Sequence, residues 1–144
     1  MKLLCVSVWL ILLVAFTPEG AGAAMRKSSY DFRVIQATSQ RIIPGIPGAP
    51  IKTEFVFTVV WLTTRKPILF FWKDEIGWKN CTMSKSAEIV KKGDTLIIAT
   101  IRGNVPQILP KSANNTICYK TVSSSGWKLV PVKNVIQKTD AVAP

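Results

Sequence analysis

Two adjacent carboxylates, Asp74 and Glu75, come closest to a catalytic pair in this sequence. Paired carboxylates serve as acid and nucleophile, or acid and base, in glycoside hydrolysis. Neighbouring side chains of an extended chain point to opposite faces, and Gly77 follows two residues later, which is typical of a polar turn. We therefore interpret Asp74 and Glu75 as turn residues, and Asp94, which follows a glycine, in the same way.

The sequence contains no histidine. This excludes Ser-His-Asp and Cys-His nucleophile systems and removes the commonest zinc ligand. Cys81 and Cys118 lie 37 positions apart without a CxxC pair, and the acidic residues lack the spacing of a calcium loop. The sequence therefore predicts no enzyme activity, no metal site and no cofactor.

The first 23 residues have the layout of a secretory signal peptide. Lys2 gives a positive start, Leu3 to Phe16 are apolar, and Ala21-Gly22-Ala23 is a small-residue cleavage site. The apolar run is short for a membrane span, which needs roughly 20 residues. We predict cleavage after Ala23 and an exported protein, periplasmic or extracellular, without a transmembrane span.

Cys81 and Cys118 are the two cysteines that remain after such a cleavage. In an oxidising compartment, a lone pair of cysteines is most simply a disulfide. The alternative is a pair of buried, unpaired thiols. We predict the disulfide.

Strand signals fill the rest of the chain. Short runs rich in β-branched and aromatic residues are separated by Gly, Pro, Asn, Asp and Ser, whereas the one helix candidate, at 84–92, is too short to stand alone. The predicted strands lie at 30–38, 52–62, 68–73, 78–83, 95–101, 116–122 and 127–136.

Seven or eight short strands without crossover helices favour an all-β fold. We predict one antiparallel β-sandwich domain at 24–138, immunoglobulin-like in size and strand spacing, with a small β-barrel as the alternative. Ser123 to Gly126 suit a hairpin connection. Residues 139–144 are predicted to form a flexible C-terminal tail.

The most apolar stretch of the exported part is FVFTVVWLTTRKPILFFW, at 55–72. Its two apolar runs are separated by Thr63 to Pro67, which predicts a β-hairpin. Because both faces of the first run are apolar, the strand is predicted to be central, or to form a homodimer surface with its second face.

Several pieces of the chain resemble a group of small exported proteins of Bacteroidetes-type bacteria. The pieces are the Ala37-Thr38-Ser39-Gln40 run, the Pro/Gly loop ending at Gly48, GDTLIIA at 93–99 and SGWKLVPVKNV at 125–135. The group has no characterised function, so the resemblance implies an exported β-rich fold and no catalytic or binding residue.

Basic residues and tryptophans are the features that point to binding. The net charge is +11, and Lys2 and Glu19 cancel, so export leaves it unchanged. Such a field attracts anionic polymers, and exposed tryptophans stack on sugars or bases. The alternative is that the lysines solvate the surface and the tryptophans pack in the core. The candidate binding residues are Trp72, Lys73, Trp78, Lys79, Lys91, Lys92, Trp127 and Lys128.

The sequence leaves two hypotheses for the function. The first is a non-catalytic interaction or accessory module that contacts another protein, with the loops at 42–50 and 102–115 as contact surfaces. The alternative is a binder of anionic polymers (acidic polysaccharide, lipopolysaccharide or nucleic acid) through a basic, Trp-containing face. The second hypothesis predicts that the candidate lysines gather on one face.

Overall fold

The computed structural model describes residues 30–85, 88–106 and 108–144. Within these ranges all regular secondary structure is strand, which confirms the all-β prediction. The strands are β1 (Phe32–Ile43), β2 (Lys52–Trp61), β3 (Pro67–Lys73), β4 (Trp78–Met83), β5 (Thr95–Ile101), β6 (Thr116–Thr121), β7 (Lys128–Pro131), β8 (Ile136–Gln137) and β9 (Ala141–Val142).

The strands form one hydrogen-bonded sheet. Its order is β7-β6-β3-β4-β5-β2-β1-β8, and β9 also pairs with β1. The pairs among β1 to β7 are antiparallel, whereas β8 and β9 run parallel to β1. The sheet is therefore mixed.

The sheet curls into a half-barrel. Four strands separate β1 from β6 in the sheet, yet the rings of Phe32 and Tyr119 lie 4.8 Å apart. The predicted two-sheet sandwich is not confirmed, since a single path of hydrogen bonds connects all the strands. Alternating burial along a strand shows that one face is covered. It does not show whether a second sheet or the same sheet covers it.

Aromatic side chains fill the concave face. Along β2 the residues that point inward are fully or almost fully buried, and those between them are less so. The rings of Phe57 and Trp72 lie 4.6 Å apart, and Phe32 also packs against Trp61. Burying such rings supplies roughly 2–3 kcal/mol each, which makes this cluster the main source of stability.

The predicted hairpin at 55–72 is wrong. β2 pairs with β1 and β5, while β3 pairs with β4 and β6. β2 and β3 instead face each other across the interior. The connection between them is hydrogen-bonded to the segment before β5 and does not form a hairpin turn. Arg65 and Val90 exchange backbone hydrogen bonds of 2.9 and 2.8 Å. The homodimer surface proposed for the hairpin loses its basis, and a homodimer as such stays a prediction.

The predicted disulfide between Cys81 and Cys118 is also wrong. Cys81 lies opposite Phe70 and Cys118 opposite Phe71, on the two neighbours of β3. Phe70 and Phe71 are consecutive, so the two thiols point to opposite faces of the sheet. Their strands are two spacings apart, about 9.5 Å, whereas bridged cysteines need Cα atoms within about 7 Å. Both cysteines are free and buried.

The turns predicted from local composition are confirmed. β6 and β7 form an antiparallel pair across Ser123 to Gly126, which confirms the hairpin. The Asp74 carboxylate accepts hydrogen bonds from the backbone N–H groups of Ile76 and Gly77, at 2.9 and 3.0 Å. Asp94 does the same for Lys91 at 3.0 Å. Both carboxylates are therefore turn residues, as predicted.

The C-terminal segment pairs with β1. β9 lies beside Ile42 and Ile43 where a flexible tail was predicted at 139–144, and the Ala143 N–H donates to the Ile43 carbonyl. The predicted signal peptide, 1–23, lies outside the described residues. Among the described residues, no helix is long and apolar enough to cross a membrane.

We predict that neither thiol reacts in the native protein. Burial raises the pKa of Cys81 to about 12 and that of Cys118 to about 11, so both stay protonated and shielded near neutral pH. A chain without residues 1–23 should show no titratable thiol until it is denatured, and then two. Dithiothreitol should leave its melting temperature unchanged. A native disulfide of this span would instead contribute about 4 kcal/mol, and reduction would lower the melting temperature.

Candidate functional site

A buried carboxylate lies where β1 begins. Asp31 is 3% exposed. Its Oδ2 accepts hydrogen bonds from Tyr119 Oη at 2.9 Å and Lys128 Nζ at 2.8 Å, and its Oδ1 accepts one from Thr63 Oγ1 at 2.9 Å. The Asp31 N–H also donates to Tyr119 Oη. We call Asp31, Thr63, Tyr119 and Lys128 the Asp31 cluster.

The cluster joins distant parts of the sheet. Tyr119 and Lys128 are register partners on β6 and β7, and Thr63 follows β2. Their side chains meet Asp31 because the curl brings the start of β1 over β6. Sequence reasoning missed this cluster, although an acid in the apolar alternation of YDFRV was a signal. Sequence reasoning also assigned Lys128 to ligand binding, whereas the Lys128 amine donates a hydrogen bond to the Asp31 carboxylate.

The cluster keeps Asp31 ionised. Burial alone would raise the pKa of Asp31, but hydrogen bonds from Lys128, Tyr119 and Thr63 outweigh it, so the pKa lies below the ordinary value of 3.8. Burial, followed by hydrogen bonding to the Asp31 carboxylate, raises the pKa of Tyr119. An ion pair with these partners stabilises the fold and offers no exposed base or nucleophile.

We predict that Asp31→Asn lowers the free energy of unfolding by about 3 kcal/mol near neutral pH. This is the lower end for breaking a buried ion pair, because Lys128 keeps a third of its side chain in solvent. The native pKa is lowered, so the stabilisation is present above the ordinary value and is lost as the pH falls through the native one. Urea unfolding at about pH 7 and about pH 2.5 measures both effects.

Asp140→Asn is the matched control. Asp140 pairs with Arg41 at 3.7 Å on the surface, so its loss should change stability by less than about 1 kcal/mol. A difference between wild type and Asp31→Asn that is the same at both pH values would contradict the assignment of an ionised Asp31.

A cleft of about 590 Å³ opens at the other end of the half-barrel, where β2 and β4 begin and β5 ends. We call it the end cleft. Its lining combines one tryptophan, three cations and an apolar rim: Trp78, Lys52, Lys79, Arg102, Ile51, Ile76 and Ile101.

Three connections between strands converge on the end cleft. Ile51 comes from the connection between β1 and β2, Val105 from the loop at 102–115 and Ile76 from the turn between β3 and β4. At Gly103 the chain passes close to Asn80, since a Cβ there would lie 2.7 Å from the Asn80 amide nitrogen. Of the two loops predicted as contact surfaces, 102–115 contributes Val105 to this site, whereas from 42–50 only Ile42, which lies in β1, lines it.

The charges of the end cleft are only partly compensated. Lys79 Nζ lies 3.3 Å from Asp74 Oδ2, so this pair is close to neutral. Lys52 and Arg102 make no ion pair with any residue that the structure describes, and Glu54 is the single carboxylate in the lining. Sequence reasoning missed both cations, which stand alone in the sequence and give no local signal.

The other predicted binding residues are used elsewhere. Trp72 is fully buried in the core. Lys73 Nζ donates to the Ser112 carbonyl at 2.9 Å and so holds the loop at 102–115 against the sheet. Trp127 packs edge-on against Phe71 on the convex face, with Lys120 Nζ 5.2 Å from its ring centre.

The predicted basic face is divided. Lys91 and Lys92 lie exposed in the turn before β5, where their backbone N–H groups bond Asp94 and Thr64. This turn and Lys128 are at the end of the Asp31 cluster, opposite the end that holds Lys79. The prediction that the candidate lysines gather on one face is therefore wrong, and of the eight candidates Trp78 and Lys79 line the end cleft.

A second cleft of about 600 Å³ runs between β1 and β7. We call it the seam cleft, because it separates the two edges of the curled sheet. Tyr30 and Phe32 to Ala37 form one wall and Val130 to Asn134 the other. It carries the cations Arg33 and Lys133.

No group of three or more His, Cys, Asp or Glu side chains in the described ranges is placed to hold a metal ion. The acidic residues are instead distributed over the Asp31 cluster, the turns and the surface. The arrangement offers clefts for contact rather than a constellation of titratable groups.

No family model, curated protein or solved structure matches this chain significantly. The resemblance to small exported proteins of Bacteroidetes-type bacteria stays a prediction. Functional inference therefore rests on the clefts themselves.

Proposed function

We propose that this protein is an exported, non-catalytic binding module that holds an anionic polymer in the end cleft. The observation that carries the proposal is the meeting of Trp78 and Lys79 with Lys52 and Arg102, two cations that make no ion pair among the described residues. Export is supported by the signal-peptide layout of residues 1–23.

The chemistry of the end cleft supports an anionic ligand that carries rings. Trp78 is half-buried, which leaves part of an aromatic surface for stacking on a sugar or base. Lys52 and Arg102 supply charge that is not compensated locally, and the net charge of +11 raises the local concentration of polyanions. Affinity from such contacts falls steeply as salt rises.

The non-catalytic part of the proposal is supported by how the carboxylates are used. Asp74 accepts hydrogen bonds from the backbone of its own turn and pairs with Lys79. Asp31 is buried among its donors. Glu54 stands as a single acid in the end cleft, and one carboxylate does not make the pair that glycoside hydrolysis needs.

Contact with another protein is the second candidate. The rim of the end cleft exposes Ile51, Ile76 and Ile101, of which Ile76 is 87% exposed. Exposed apolar side chains beside a cleft are typical of protein contact surfaces. This candidate predicts binding that depends on the isoleucines and changes little with salt.

Heparin affinity tests the proposal. We expect wild type to elute from heparin above about 150 mM salt. The double variant Lys52→Gln and Arg102→Gln should bind a heparin octasaccharide about tenfold more weakly, the upper range for two exposed ion pairs. Trp78→Leu should also weaken binding while it leaves the net charge unchanged. Titration calorimetry measures all three.

The control is Lys91→Gln with Lys92→Gln, which removes the same charge at the opposite end. It should retain most of the affinity. An equal loss in both double variants would attribute binding to the general field and contradict the end cleft as the site. Elution of wild type well below 150 mM salt would reject the anionic ligand.

A further inference from the structure

The first half of β1 has an open edge. β1 pairs with β2 along its length, but β8 begins beside Thr38 and β9 beside Ile42. The Asp31 carbonyl accepts the Leu62 N–H at 2.7 Å and therefore faces β2, while its N–H donates to Tyr119 Oη. Backbone direction alternates in an antiparallel pair, and the N–H and C=O groups of Phe32 and Val34 therefore face away from β2, into the seam cleft.

The other wall of the seam cleft is also a strand edge. Among the described strands, β7 pairs with β6 alone. It contains Pro131, which has no N–H and so blunts this edge for strand pairing. β1 has no proline at this edge, and its one irregularity is a register shift relative to β2 between Val34 and Gln36, so Phe32 to Val34 form its regular open stretch.

The lining shows that the cleft follows strand edges and not a sheet face. Phe32 and Val34 point inward and Arg33 points outward, yet all three line the seam cleft. On the opposite wall, the inward Val130 and the outward Lys133 both line it as well. A groove along a sheet face would be lined by alternate residues only. The side chains of the lining include two cations and no carboxylate.

We propose that an extended, acidic peptide segment of a partner protein adds as a strand to β1 in the seam cleft. An open edge that faces a cleft is the geometry of strand addition, in which main-chain bonds supply affinity and alternate side chains supply specificity. The inward side chains of the guest would pack near Val34 and Val130. Its outward carboxylates would meet Arg33 and Lys133. This use of the seam cleft goes beyond the proposed function, since the end cleft takes no part.

Charge decides between the possible guests. A second copy of this chain would bring its own Arg33 into the cleft, next to the cations already there, and like charges in an interface reduce affinity. The overall charge of +11 opposes self-association further. An acidic segment would instead place its carboxylates beside Arg33 and Lys133, and opposite charges in an interface favour association.

The test uses two capped octapeptides, one of alternating valine and glutamate and one of alternating valine and lysine. Amide spectra of the 15N-labelled protein should shift along β1 and β7 with the acidic peptide, and hydrogen exchange of the Val34 amide should slow at least tenfold. The basic peptide should leave both unchanged. A slowed Val34 amide distinguishes strand pairing from general charge attraction, which orders no backbone hydrogen bond.

The double variant Arg33→Glu and Lys133→Glu should bind the acidic peptide about tenfold more weakly. Both side chains are exposed, so the fold, checked by circular dichroism, should be retained. Lys52→Glu with Arg102→Glu makes the same change of charge in the end cleft and should leave peptide binding largely intact. Its effect on heparin binding tests the proposed function separately.

Four results would overturn the strand proposal. The first is failure of the acidic peptide to bind at about 1 mM, where a Kd in the ordinary range of peptide recognition would be detected. The second is equal binding of both peptides, and the third is a set of spectral shifts centred on Trp78 instead of Val34. Concentration-dependent dimerisation in sedimentation that is lost in Arg33→Glu would identify a second copy as the guest and would also reject the acidic segment.

Discussion

The half-barrel depends on the burial of one ionised carboxylate. Asp31 stands at the beginning of β1, and its partners Tyr119 and Lys128 stand on β6 and β7. No described backbone pairing joins β1 to β6 or β7, so these edges are held together by the side chains around Asp31 and by the short connection from β7 to β8, which pairs with β1. A buried charge without partners would cost several kcal/mol. The arrangement that gives Asp31 its partners is therefore more stable than other arrangements of the curled sheet.

This mode of closure explains where the clefts lie. Side chains can hold two strand edges near each other without filling the space between their backbones, which leaves the seam cleft. At the opposite end, β8 and β9 extend the sheet along β1, and the long connections gather around the end cleft. The two clefts are thus consequences of one topology, and each presents a different chemistry: an aromatic and cationic surface in one, an open strand edge in the other.

Local predictions succeeded where neighbouring residues decide the structure. β-branched runs mark the strands because their side chains suit a pleated, half-buried surface, and Asp74 and Asp94 mark turns because their carboxylates bond the next backbone N–H groups. The predictions of contacts between distant residues, namely the hairpin and the disulfide, were wrong. A hairpin at 55–72 was plausible from spacing, but β3 finds its partners in β4 and β6, and the resulting register places Cys81 and Cys118 on opposite faces.

The sequence by itself determined an all-β chain, the approximate strand limits, the turns and the cationic character, since these follow from residue type and short-range geometry. Only the tertiary structure decided which strands are neighbours, that one sheet curls on itself, and that Lys52 and Arg102 join Trp78 while Lys128 turns inward to Asp31. The physical reason is that strand pairing is non-local. The hydrogen bonds of a strand are satisfied equally by many partners, and the choice is made by packing and by buried charge far along the chain.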